Sequence, residues 1–202
     1  TISSKAILRM LPNSMKITSG RIRFKETDLL SLNNRQYANF RGKSIALIPQ
    51  DALHALNPVQ KVGTQVAEPF SIHSDLTKKE KKSRVIELFS RVNIANPEHR
   101  YDDYPHEFSG GMQQRLQIAK NLITKPRLIF MDEPTGGLDV SLQARLLDLI
   151  RSLVRELGLS VIIVTHDLAV ARFMDNRCIV MKNGKIVETG LPDLVLDDPQ
   201  HS

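Results

Sequence analysis

A short apolar run that ends in two adjacent carboxylates constrains the fold of this chain most. Residues 128–131 are Leu, Ile, Phe and Met, and Asp132 and Glu133 follow them directly. A continuous apolar strand is typical of a parallel sheet with helices on both faces, because both sides of the strand are then buried. Open α/β sheets bind ligands at the carboxyl ends of their strands. Asp132 is therefore a candidate metal ligand, and Glu133 a candidate base or positioning group for a water molecule.

Two other predicted strands end in polar side chains. Residues 44–48 are followed by Pro49 and Gln50, and residues 161–164, predicted as a second buried strand, are followed by Thr165 and His166. A lone histidine is usually structural, but His166 would share the sheet edge with the two acids, which favours contact with a phosphate. The Gln50 amide is compatible with either a metal-bound water or a helix cap.

A serine and two glycines open a predicted helix that runs to about residue 124. Ser109 is expected to cap this helix, with Gly110 and Gly111 in its first turn. A helix N-terminus presents free N–H groups and partial positive charge, so it can hold an anion. A phosphate-binding element joined by a helix to a metal-binding strand indicates nucleotide chemistry.

The remaining pattern predicts alternating strands and helices with a helical insertion at about residues 62–124. A helix is expected over residues 1–12, ended by Pro12, and another after the capping box of Thr77 and Glu80. Residues 96–108 are expected to form a polar loop. Gly158 is expected to end a helix over residues 141–157, Asp167 to cap a short helix, and Asn183-Gly184 to turn a β-hairpin.

Composition excludes some classes of protein. The net charge is +6, but aromatic residues make up only 5% and do not alternate with the basic residues, which argues against binding of single-stranded nucleic acid. The single cysteine, Cys178, excludes a disulfide within the chain and is expected to be a buried structural thiol. A cytosolic location is the default for such cysteine usage.

In chain order, these pieces resemble the motifs of the ATPases of ABC transporters. Pro49-Gln50 resembles the Q-loop, and residues 108–113 resemble the signature motif. Residues 128–133 resemble Walker B with its catalytic glutamate. Residues 136–139 resemble the D-loop, and His166 resembles the switch histidine.

The resemblance implies an α/β fold of the P-loop NTPase type, a three-layer parallel sheet with an inserted helical subdomain. It implies a single, partial ABC ATPase domain over residues 1–202. Residues 1–50 and 125–202 would form the α/β core, and residues 51–124 the Q-loop, helical subdomain and signature helix.

The resemblance also implies roles for individual residues, with ATP and Mg²⁺ as the bound groups. Glu133 would act on the attacking water, with His166 and Gln50 as the other catalytic residues. Asp132 and Gln50 would hold the metal. The nucleotide-binding residues would be Ser109, Gly110, Gly111, Gln113 and Asp139.

In that family two ATPase subunits pack head to tail, so the signature residues would serve the partner's site and Asp139 would lie across the interface. The partner subunit could be identical or a paralogue. Permease subunits would be the other partners, and no nucleic acid is expected. The resemblance thus implies a peripheral protein on the cytoplasmic face of the plasma membrane.

One family motif does not occur in the sequence. No G-x-x-x-x-G-K-[ST] loop is present, although residues 1–7 resemble the start of the helix that follows it. The chain is therefore expected to lack the N-terminal part of the domain and, by itself, to bind ATP very weakly and show no useful hydrolysis. Loss of the strand that leads into the loop predicts a sheet with a gap or an exposed edge.

Two branches of the family compete. Residues 51–70 resemble the ATPases of peptide and nickel importers, whereas residues 108–140 and 197–199 resemble the ATP-binding subunit of carbon–phosphorus lyase. Gly136-Gly137 departs from the Thr-Ala pair of most peptide importers. The first interpretation is preferred, because residues 51–70 would face the membrane partner. A nucleic-acid repair ATPase with the same signature is disfavoured, because residues 51–108 are too few for the long coiled coil of such chains.

Overall fold

A parallel three-stranded sheet lies at the centre of the fold. The structure is a computed structural model that describes residues 2–50, 55–174 and 177–199. Its strands are β1 (Arg23–Phe24), β2 (Thr27–Asp28), β3 (Ile45–Ile48), β4 (Leu128–Asp132), β5 (Ser160–Val164), β6 (Cys178–Lys182) and β7 (Lys185–Gly190). Its α-helices are α1 (Ile2–Ile7), α2 (Asn34–Ala38), α3 (Val62–His73), α4 (Lys78–Arg91), α5 (Pro97–Arg100), α6 (Gly110–Leu122), α7 (Val140–Leu157), α8 (Leu168–Phe173) and α9 (Pro192–Asp197).

Strand β4 is the middle strand of this sheet and pairs in parallel with both β3 and β5. Ile48 lies opposite Met131, and Asp132 lies opposite Val164. Ile129, Phe130 and Met131 are buried. The predicted buried strand and parallel α/β sheet are therefore confirmed, and the carboxyl ends of the three strands meet at one edge.

The expectation of a second buried strand is wrong, because β5 is an edge strand. Among the described residues, β5 pairs with β4 alone, while β6 and β7 form a separate antiparallel hairpin. The side chain of Ile162 is consequently 45% exposed. The predicted gap or exposed edge is present in the sheet. Strand β5 is exposed because no further described strand pairs with its other side.

In the helical insertion α3 and α4 pack against each other and against α6, and α6 packs against β3. The predicted capping box is confirmed: Thr77 Oγ1 accepts a hydrogen bond from the Glu80 N–H (3.3 Å), and Glu80 Oε2 accepts one from the Thr77 N–H (2.8 Å). At the start of α3, the Gly63 N–H donates to the Tyr101 carbonyl at 3.0 Å. The predicted loop over residues 96–108 instead contains α5 and a 3₁₀ turn at Pro105–Glu107. This part of the chain is therefore more ordered than its polar composition suggests.

The first helix is shorter than expected, because the chain turns at Arg9 rather than at Pro12. Arg9 has a left-handed backbone (φ +52°), and its guanidinium donates to the carbonyls of Leu29 (2.7 Å) and Leu32 (2.6 Å). It also lies 4.5 Å from the centre of the Tyr37 ring. Tertiary contacts of one side chain thus end α1.

The C-terminal part of the chain largely follows the prediction. Gly158 ends α7 with φ +59°, Asp167 accepts a hydrogen bond from the Ala169 N–H at 2.8 Å, and Asn183-Gly184 turns the hairpin. Cys178 is half-buried rather than fully buried, because it lies at the end of β6 in the separate hairpin. In the described ranges, no helix is both long and apolar enough to cross a membrane.

Candidate functional site

Glu133 follows β4 in an unusual backbone conformation. Its N–H donates to the Val164 carbonyl at 2.8 Å, so pairing with β5 continues one residue past the strand. Its φ of +48° places it in the left-handed region, which residues with a Cβ rarely occupy. Such a conformation costs about 1–3 kcal/mol and persists where the surrounding structure imposes it, often at functional sites.

The two residues that follow the neighbouring strands bind the Glu133 carboxylate. Gln50 Nε2 donates to Glu133 Oε2 at 2.9 Å, and His166 Nδ1 lies 2.8 Å from Glu133 Oε1. The side chain of Glu133 is 25% exposed and that of His166 is 82% exposed, so the cluster faces solvent. The structure therefore brings together the three residues that were predicted to be catalytic.

An open cavity of about 480 Å³ surrounds this cluster. Its lining residues are Gln50, Glu133, Thr135, Gly136, Gly137, Gln143, Thr165, His166 and Asp167. Gln143, whose Nε2 donates to the Thr135 carbonyl at 3.3 Å, was missed by sequence reasoning. It lies on the polar side of an amphipathic helix, where no sequence pattern distinguishes it from other surface residues.

Residues of the predicted signature motif lie at a second, smaller cavity of about 200 Å³. It is lined by Ser109, Gly111, Met112, Arg115, Leu138, Leu142 and Leu146. Ser109 occupies the N-cap position of α6, but the expected side-chain capping bond is absent, and Ser109 and Gly110 are exposed. The side chain of Gln113 donates to the carbonyls of Pro105 (2.8 Å) and Phe108 (3.1 Å), which anchors the start of α6. Ser109 and Gly111 are thus separated from the Glu133 cluster.

Asp139 caps helix α7. Its carboxylate accepts hydrogen bonds from the Leu142 N–H (3.0 Å) and from the Ser141 hydroxyl (2.8 Å). The bond from the Leu142 N–H, together with that from Ser141, lowers the pKa of the Asp139 carboxyl. Asp139 therefore has a structural role within the chain, beside the interface role that its motif implies.

The residues predicted to hold a metal carry the right donor atoms. Asp132 is half-buried at the end of β4, and Gln50 follows the adjacent strand β3. Carboxylate and amide oxygens suit Mg²⁺, which usually takes one or two protein ligands and completes its shell with water and phosphate oxygens. No group of three or more His, Cys, Asp or Glu residues suited to a metal ion occurs among the described residues.

The comparison with protein families decides the classification. Residues 5–136 match the family described as ABC transporter, which is more than half of the chain.

This chain belongs to the ABC transporter family.

Curated relatives include ATP-binding proteins named for peptide transport and one named for phosphonate utilization. The oligopeptide transport ATP-binding protein OppD of Bacillus subtilis is 42% identical over 202 residues, which cover 100% of this chain and 56% of that protein. The phosphonates utilization ATP-binding protein PhnK of Escherichia coli is 70% identical over 105 residues, covering 52% of this chain and 42% of that protein. This ABC chain thus spans little more than half the length of OppD.

Solved structures confirm the expected fold. CbiO1 of Clostridium perfringens, part of the ABC transporter complex cbiONQ, superposes with a TM-score of 0.84 at 27% identity, covering 98% of this chain and 74% of that one. A dimeric post-hydrolysis structure of the ATP-binding cassette MJ0796, bound to ADP and Pi, gives a TM-score of 0.77 at 26% identity and covers 94% and 80% of the two chains.

Proposed function

We propose that this chain is the larger part of an ATP-binding and ATP-hydrolysing subunit of an ABC importer. The observation that carries the proposal is the Glu133 carboxylate, held between Gln50 and His166 at the ends of three adjacent parallel strands. Phosphoryl transfer through a loose transition state needs positioning and charge rather than covalent help. A carboxylate, an amide and an imidazole at one open cavity supply those functions.

Each residue then has a defined role in hydrolysis. Glu133 orients the attacking water and accepts its proton, while His166 and Gln50 contact the γ-phosphate side of the nucleotide. Asp132 and Gln50 would hold Mg²⁺, which neutralises charge on the phosphate oxygens when it is bound. The donor atoms of these residues support this assignment.

The second cavity supports a two-subunit site. Ser109, Gly110 and Gly111 would bind a nucleotide that is held by another subunit, Gln113 would hold the start of their helix, and Asp139 would lie at the interface. Separation of this cavity from the Glu133 cavity is consistent with that arrangement. The dimeric MJ0796 structure, bound to ADP and Pi, gives further support.

Mixing two damaged forms of the full-length protein tests the arrangement. Glu133→Gln damages the first cavity and Ser109→Arg the second, so each variant alone should show little ATP hydrolysis. In a mixed dimer, one site combines the intact Glu133 of one subunit with the intact Ser109 of the other. Recovery of about a quarter of the wild-type rate is expected if subunits exchange freely and active sites act independently. Absence of any recovery would show that both cavities serve one site in the same chain.

The transported solute is proposed to be a peptide, nickel or a similar small solute. Identity of 42% to an oligopeptide transport protein over the whole chain supports a peptide. In this proposal the subunit lies on the cytoplasmic face of the plasma membrane, bound to permease subunits through the segment that follows Gln50. Residues 51–54 of that segment lie outside the described residues.

A second candidate is a soluble accessory ATPase of a phosphonate-metabolising enzyme complex. The 70% identity to PhnK over about half of the chain favours it. Affinity purification of the full-length protein after mild solubilisation separates the two candidates. Co-purifying integral membrane permeases support the importer, whereas co-purifying soluble enzymes of phosphonate cleavage support the accessory role.

A further inference from the structure

A buried glutamine links the two cavities. Gln114 lies in the second turn of α6, is 3% exposed, and donates through Nε2 to the carbonyl oxygen of Pro134, which is also buried. Pro134 directly follows Glu133. The helix that carries the Ser109 cavity is thus bonded to the turn that carries the Glu133 carboxylate.

Apart from the side-chain contacts of Glu133 with Gln50 and His166, two backbone hydrogen bonds hold the turn after β4. The Glu133 N–H donates to Val164 at 2.8 Å, and the Gly136 N–H donates to the Glu133 carbonyl at 3.0 Å. Gln143 contributes a longer bond of 3.3 Å to Thr135 from a half-buried position. The Gln114 bond is buried, and a buried carbonyl that loses its partner cannot recover the bond from solvent. This bond therefore connects the turn directly to α6.

We propose that Gln114 is a positioning residue, which fixes the position of the strained Glu133 turn relative to α6. Through this bond, a displacement of residues 109–111 on nucleotide binding in the second cavity moves Pro134, and with it the Glu133 carboxylate in the first cavity. The kinetic consequence of this inference rests on the proposed ATPase function. The structural consequence does not depend on that function.

The same helix supplies a matched control. Gln117 is also 3% exposed and lies three residues further along α6. Its Nε2 is buried and has no hydrogen-bond partner among the described residues. Gln114→Met removes a bond to the turn, whereas Gln117→Met removes an unsatisfied donor. The two substitutions are chemically identical and differ only in the contact that is lost.

Hydrogen exchange measures the structural consequence in the full-length protein without nucleotide. Gln114→Met is expected to speed exchange of a peptide covering residues 131–138 by about fivefold to tenfold, the effect of losing one hydrogen bond. Gln117→Met should leave exchange there unchanged. Gln114→Asn, which is one methylene shorter and cannot reach Pro134 without movement, provides a second variant if the methionine form folds poorly. Equal exchange in wild type and the Gln114 variants would overturn the inference.

Steady-state kinetics measures the functional consequence. Gln114→Met should lower kcat by about tenfold to a hundredfold with an unchanged KM for ATP, because it misplaces the base without altering nucleotide contacts. Gln117→Met should retain wild-type kcat. An equal fall in both variants would indicate general core damage and would contradict a positioning role. A wild-type protein that hydrolyses no ATP would instead refute the proposed function, while the exchange result still decides the inference.

Discussion

Glu133→Gln should separate catalysis from stability in this site, because the structure allows the lost contacts to be replaced. The carboxylate binds Gln50 through one oxygen at 2.9 Å and His166 through the other at 2.8 Å. A glutamine side chain presents one acceptor and one donor in nearly the same shape. It can keep both contacts in two ways. Either the Gln50 amide rotates so that its oxygen accepts from the new NH₂ group, or His166 takes the tautomer in which Nδ1 is unprotonated and accepts from it.

The expected stability change is small because the cluster is solvated. The His166 side chain is 82% exposed and that of Glu133 is 25% exposed. Exposed pairs of this kind contribute about 0.2–1 kcal/mol. For a domain of this size, that corresponds to a fall in Tm of at most about 2–4 °C. Loss of a general base, in contrast, lowers the rate by about 10²–10⁴, or roughly 3–5 kcal/mol in activation free energy.

The assay compares the full-length wild type with Glu133→Gln by steady-state ATP hydrolysis, nucleotide affinity and thermal unfolding. A matched control is Glu87→Gln, which removes an exposed glutamate whose partner Arg91 lies 2.9 Å away on α4. That control should retain wild-type kcat, and Glu133→Gln should retain nucleotide affinity. The reasoning is refuted if Glu133→Gln keeps more than about a tenth of the wild-type kcat, since a general base contributes at least a hundredfold.

Two further predictions concern the helical insertion. Gly63→Ala would place a Cβ 2.3 Å from Tyr101 Cδ2 and 2.5 Å from the Tyr101 carbonyl oxygen. Denaturant unfolding should therefore show a free energy of unfolding lower by about 1–3 kcal/mol. Unchanged stability would mean that this contact is looser than it is in the structure. Asp102 accepts hydrogen bonds from Lys61 (3.0 Å) and Lys82 (3.2 Å), which lower its pKa below the ordinary 3.8. A lowered folded-state pKa stabilises the fold above pH 3.8, and this contribution is lost as the pH falls through the folded value. The stability advantage of wild type over Asp102→Asn should therefore shrink on acidification below about pH 4, and an advantage that is constant from pH 7 to 3 would contradict this linkage.

Local sequence patterns predicted which residues lie at the site. Apolar runs ending in Gln50, Glu133 and His166 indicate three strand ends, and parallel strands place such ends at one edge. The sequence could not show that Gln50 and His166 bind the same carboxylate, since this depends on the order of β3, β4 and β5 in the sheet.

By itself, the sequence determined the central buried strand, the Thr77 capping box, the Asn183-Gly184 hairpin and the family, because each depends on residues close together in the chain or on motifs in a specific order. Tertiary structure alone decided the left-handed conformation of Glu133, the early end of α1 at Ile7 and the bond from Gln114 to Pro134. The physical reason is that backbone strain, strand pairing and buried hydrogen bonds depend on groups brought together from distant parts of the chain.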